Sequence, residues 1–164
     1  MPVRDRLSDF VKSGPRRVKD AEELMATPSM DNQRSDAPTR HLRGAMYLAG
    51  YGVECLLKAY LIEQEGSQSL TGAEAKINVR RASHNQEPIE KIARTAAGHD
   101  LFYLVGLTDL STRPGYDPVL WSRLSQWRST WRYKHDSPKR EEAERFMRDV
   151  RAAMDWLQPK ILRL

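Results

Sequence analysis

The run H41-L-R-G-A-M-Y-L-A-G-Y-G-V-E-C-L-L-K-A-Y-L61 limits the fold more than any other stretch of the chain. Leu42, Ala45, Met46, Ala49, Val53, Leu56, Leu57 and Tyr60 recur at alternating spacings of three and four. That period puts them on one face of a long amphipathic helix and is incompatible with a strand. Such a stripe is stable in water only when other elements cover it, so partner helices must be found elsewhere in the chain.

Those partners can be read in turn. Val18, Ala21, Leu24 and Met25 predict a helix over 16–26, after a break at Gly14-Pro15 and before Thr27-Pro28. The long helix is expected over 39–65 and stops at Gly66. From Gly66 to Gln86 the periodicity vanishes, and a mobile connection is expected there, with room for a short helix near residues 73–79. Pro88, Ile89, Ile92, Ala93 and Ala96 predict a helix over 88–97. Asp100 is a candidate cap for 100–110. Leu120, Leu124, Trp127 and Trp131 fall on one stripe of a helix over 118–131, and Ala143 to Leu157 line a last helix over 138–157. No alternating β-branched run is present. The expectation is an all-α, antiparallel bundle of about five to six helices. Residues 1–15 read as an N-terminal extension and 16–164 as a single domain.

At 164 residues the chain can bury a core without disulfides or a structural metal. Cys55, its one cysteine, reads as a small buried side chain and suits a reducing compartment. The first ten residues lack the apolar segment of a signal peptide, and no apolar run is read as approaching the roughly 18 residues a membrane span needs. A cytoplasmic protein without membrane contact is expected. The charge is uneven: residues 1–119 carry 16 Lys and Arg against 16 Asp and Glu, and residues 120–164 carry 11 against 6. All of the net +5 therefore lies in the last 45 residues, where a local cationic field would attract a polyanion. Arg140, Arg145, Arg148 and Arg151 equally fit the solvated face of the last helix.

Phosphate-binding glycine loops and a nucleophile elbow are absent from the sequence. His41, His84, His99 and His135 are scattered, so neither a metal nor a cofactor is expected. The densest chemistry lies in W127-R-S-T-W-R-Y-K-H135, where Arg128, Arg132, Lys134 and His135 alternate with aromatic rings, the combination a nucleic-acid site uses. Were this run helical, Arg128 and His135 would share a face about 10 Å apart along the axis. A break near Tyr133, or a second subunit, would be needed to bring them to one phosphate. His135 would then move the proton of a ribose hydroxyl, and Arg128 would oppose the charge growing on the phosphate. Along the long helix, Tyr47, Tyr51 and Glu54 form a candidate cleft lining; the simpler reading of Glu54 is a partly buried carboxylate paired with Lys58 one turn on. His99 reads as a local contact at a helix start, and Trp121 and Trp156 as core or subunit interface.

The stretches A45-M-Y-L-A-G-Y-G-V-E-C-L-L-K-A59 and H99-D-L-F-Y-L104, the R132-Y133 pair and the closing helix together resemble the HEPN family of small helical bundles, over roughly residues 18–160. Some HEPN proteins are metal-independent endoribonucleases with an Arg and a His separated by four to six residues, and the resemblance implies that role for Arg128 and His135. It further implies RNA as ligand, a homodimer, and a setting in toxin–antitoxin or phage-defence systems beside a nucleotidyltransferase partner. The pattern departs in places: Ser129 follows Arg128 where active members carry Asn, Asp or His, and Ser137 stands where one toxin subgroup has Tyr. Family members without the catalytic His act as binding or partner modules for nucleic acid, nucleotide or protein, and that alternative stands beside the ribonuclease.

Overall fold

A computed structural model describes residues 5–26, 40–93, 95–134 and 138–161. These fold into six α-helices: α1 Leu7–Ala26, α2 Arg40–Gln64, α3 Leu70–Ser83, α4 Leu101–Gly106, α5 Pro118–Leu124 and α6 Arg140–Ile161. Three 3-10 turns, Ala97–His99, Leu110–Thr112 and Ser129–Tyr133, complete the regular structure, and no strand forms among the described residues. The architecture is the expected all-α antiparallel bundle.

Helix α2 is its axis. Beyond the predicted stripe, Cys55, Ala59, Leu61 and Ile62 are also buried, so the second half of the helix is covered on nearly every side. A helix apolar all round belongs at the centre of a bundle, and α2 packs against α1, α3, α4, α6 and the Ser129–Tyr133 turn. By length and composition His41–Gln64 does reach what a membrane span requires, contrary to the sequence reading; its side chains are mostly buried inside the bundle, as for a core helix. Tyr60, the last residue of the predicted stripe, is 1% exposed and donates from its hydroxyl to Asp109 Oδ1 at 2.6 Å.

The expected break at Gly14-Pro15 lies inside α1, which begins at Leu7 rather than residue 16. The contact with α2 explains why the helix continues. A Cβ on Gly14 would stand 2.9 Å from Leu56 Cδ2, and one on Gly52 only 2.8 Å from the Gly14 carbonyl oxygen. Two glycines therefore let the backbones meet, and the contact extends through Val18 and Ala21, outweighing the one backbone hydrogen bond Pro15 cannot make.

Between α2 and α4 one reading of the sequence holds and one fails. Inside the segment 66–86 the short helix anticipated near 73–79 forms and is longer, as α3, under a Ser69 cap whose hydroxyl accepts from Gly72 N. The helix expected over 88–97 does not form. Its amides are taken by side chains of α3: Asn78 Oδ1 accepts from Ile89 N at 2.8 Å, and the buried Glu74 Oε1 accepts from Ile92 N and Ala93 N at 2.6 Å each. The apolar pair Ile89 and Ile92 that imitated a helix face instead belongs to an irregular chain laid across α3. Asp100 caps α4 as expected, accepting from Tyr103 N at 3.1 Å.

Candidate nucleic-acid interface

Helix α5 starts under Asp117, whose Oδ1 accepts from Val119 N and Leu120 N, with Pro118 in the first turn. It ends at Leu124, well short of the predicted residue 131. Trp127 accounts for the early stop. Its indole is fully buried, stacks on Tyr47 at 6.1 Å between ring centroids, and donates from Nε1 to the Tyr47 carbonyl at 3.2 Å. A Cβ on Gly50 would fall 2.2 Å from the indole Cδ1, so the ring occupies the notch that this glycine leaves. Driving so large a ring into α2 costs the helix its continuation.

Arg128 follows in extended backbone (φ −137°, ψ 138°). Its Nη1 donates to the carbonyls of Ser125 and Trp127, the latter at 2.8 Å, so this arginine holds the end of α5. In the 3-10 turn Ser129–Tyr133, Trp131 faces inward against Phe146 with the Arg43 guanidinium 4.9 Å above its ring. The outer side carries Arg132, whose guanidinium lies 4.6 Å from the Tyr133 ring centre, and Lys134. Tyr133 is 67% exposed, a large aromatic ring in water beside two cations. Among the described residues no carboxylate pairs with Arg128, Arg132 or Lys134, whereas Arg140 pairs with Glu144 and Arg151 with Glu22. His135, Asp136 and Ser137 lie outside the described residues, so the Arg128–His135 distance is not part of this geometry.

On α2 the expected cleft residues Tyr47, Tyr51 and Glu54 do share a face. The tyrosine rings are nearly parallel, 6.3 Å apart, with the Arg17 guanidinium 5.9 Å from the centre of Tyr51. Burial, then the neighbouring Cys55 and Glu54, pushes the Tyr51 phenol up to about 12. Burial likewise pushes the Cys55 thiol to about 12, so both stay neutral proton carriers. Glu54 is 1% exposed and fully engaged: Oε1 accepts from Lys58 Nζ at 2.6 Å, as the sequence suggested, and Oε2 lies 2.9 Å from His99 Nδ1. The contact with His99, 45 residues away, was missed. His99 was read as local to its helix start, and no spacing rule links it to α2.

A comparison with family models matches the HEPN domain over residues 21–161, most of the chain. The chain belongs to the HEPN family. No curated protein and no solved structure matches it. The matched span of this HEPN domain holds both the α2 face and the turn after α5, but starts partway along α1. Among its described residues no group of three or more His, Cys, Asp or Glu is placed to hold a metal ion. Trp121 is core, 2% exposed, while Trp156 is half-buried and donates to the Pro114 carbonyl at 3.1 Å.

Proposed function

We propose that this HEPN protein binds single-stranded RNA through Arg128, Arg132, Tyr133 and Lys134. The observation that carries this reading is the exposed Tyr133 ring under the Arg132 guanidinium, with no described carboxylate neutralising the adjacent cations. An exposed aromatic face offers a base a stacking surface of any sequence, and the cations meet the backbone phosphates. On α6, Arg140 and Arg151 are already paired with Glu144 and Glu22. Tyr133→Ala should weaken binding of a fluorescent oligoribonucleotide about 5- to 150-fold, the range of one base–aromatic stack of roughly 1–3 kcal/mol. Unchanged affinity would remove the ring from the interface.

Cleavage is the finer version of the same proposal. Arg128, fixed by two backbone carbonyls, is a preorganised cation next to the segment that bears His135. A metal-independent endoribonuclease built on that pair should cut RNA in EDTA and lose the activity in both Arg128→Ala and His135→Ala. Binding without cleavage would leave the interaction module, with a nucleotidyltransferase or a second copy as its protein partner.

A further inference from the structure

Helix α4 carries an aromatic ring and a gap side by side. Phe102 is 71% exposed, and Gly106 follows one turn later on the same outward stripe, where an added Cβ would meet nothing within 4 Å. Both line a groove of about 530 Å³ between α4 and the irregular chain laid across α3, floored by the half-buried Ile89, Tyr103 and Leu107. A single exposed ring is ordinary on a protein surface, but a ring beside an apolar groove makes a continuous patch.

The groove is held open by its own bonds. Asn78 Oδ1 accepts from Ile89 N at 2.8 Å, and the Tyr103 hydroxyl accepts from Glu90 N at 3.0 Å, so this wall does not have to be ordered on binding. Its rim carries both signs. Arg81 comes from α3 and donates from Nε to the Glu87 carbonyl at 2.6 Å; Glu90 comes from the irregular chain. Among the described residues neither charge is bonded to an opposite one, while Asp100, also on the rim, is engaged in capping α4. An apolar ligand would leave both charges unmatched, and a ligand of one sign would match only one of them. A second copy of the same face supplies both charges, together with a ring and a gap.

We propose that this face docks on the same face of a second copy about a two-fold axis. Each Phe102 enters the partner's groove over Gly106, and each Arg81 meets the partner's Glu90. The turn after α5 contributes no residue to this face, so each protomer keeps Arg128, Arg132, Tyr133 and Lys134 outside the contact.

Sedimentation equilibrium across the micromolar range should show the wild type passing from monomer to dimer. Phe102→Ser removes the ring and Gly106→Gln fills the gap. Each should raise the dissociation constant about tenfold or more, the loss expected at a central aromatic anchor, with the thermal midpoint near wild type because both positions are open to solvent. Arg81→Glu or Glu90→Arg alone should weaken self-association, since each sets like charges against one another twice. An equimolar mixture of these two variants should restore it, because in the mixed dimer both contacts again join opposite signs. Should Arg81→Glu fail to fold for want of its bond to the Glu87 carbonyl, the Phe102 and Gly106 variants decide alone. A wild type that stays monomeric throughout the range, a dimer indifferent to Phe102→Ser and Gly106→Gln, or a folded mixture no tighter than its components overturns the proposal.

Discussion

The α2 face and the turn after α5 both combine aromatic rings with charge, yet they treat charge in opposite ways. On α2 the charges turn inward: Glu54 and Lys58 are buried against each other and Tyr51 is kept neutral. In the turn two rings point inward instead while the Tyr133 ring stays exposed. Trp127 and Trp131 anchor the segment, and Arg128, Arg132 and Lys134 are left at the surface. Trp127 joins the two regions by stacking on Tyr47. A buried charge is expensive to leave alone and cheap to remove as a pair, whereas an exposed charge contributes little to folding and remains available to a ligand. The first region therefore mainly sets stability, and the second is the one the proposed function assigns to binding.

The largest effect expected from that contrast is at Glu54. Glu54→Ala leaves the Lys58 ammonium buried without its partner and should cost about 3–5 kcal/mol in urea unfolding. Replacing both, Glu54→Met with Lys58→Met, should recover most of the loss. A double variant as unstable as the single one would show that the pair is not what matters.

Alkali is next. The Cys55 thiol ionises near 9 when unfolded and near 12 when folded, so above pH 9 the unfolded chain binds fewer protons than the native one. Stability is therefore full below pH 9 and falls by roughly 1.4 kcal/mol per pH unit as pH rises towards 12. Cys55→Ala should flatten that slope in denaturant titrations at several pH values; an unchanged slope would assign it to another group.

Gly50→Ala tests the joint between the regions. The added methyl must displace the Trp127 indole, at about 1–3 kcal/mol, and the near-ultraviolet circular dichroism of the stacked rings should change with it. A variant with wild-type stability would mean that the turn can detach from α2 at no cost. Smallest of all, Arg132→Ala and Lys134→Ala should each alter stability by about 0.5 kcal/mol or less.

The legible parts of the fold were those where local period and tertiary role agree. The α2 stripe, the α6 stripe and the Asp100 cap were readable because each depends on residues three or four apart. The rest depends on partners distant in the chain. Gly14 and Pro15 read as a break because the glycine facing them is Gly52. The amides of residues 89–93 escape a helix because Asn78 and Glu74 capture them. Of the candidate site, the exposed cations and the Glu54–Lys58 pair were visible. Arg128 as a clasp on the end of α5 was not, since it follows from the helix stopping at Leu124, and that stop follows from Gly50.

Salt dependence of RNA binding tests the central claim most directly. Affinity of the wild-type protein for a single-stranded oligoribonucleotide, followed by fluorescence anisotropy from low salt upward, should fall linearly on logarithmic axes. Each phosphate contact adds about 0.7 to that slope. The triple variant Arg128→Ala, Arg132→Ala, Lys134→Ala, folded by circular dichroism, should bind more weakly and lower the slope by about 2. Equal slopes for the two proteins, or no binding by the wild type at low salt, would contradict the assignment of the turn as the nucleic-acid surface.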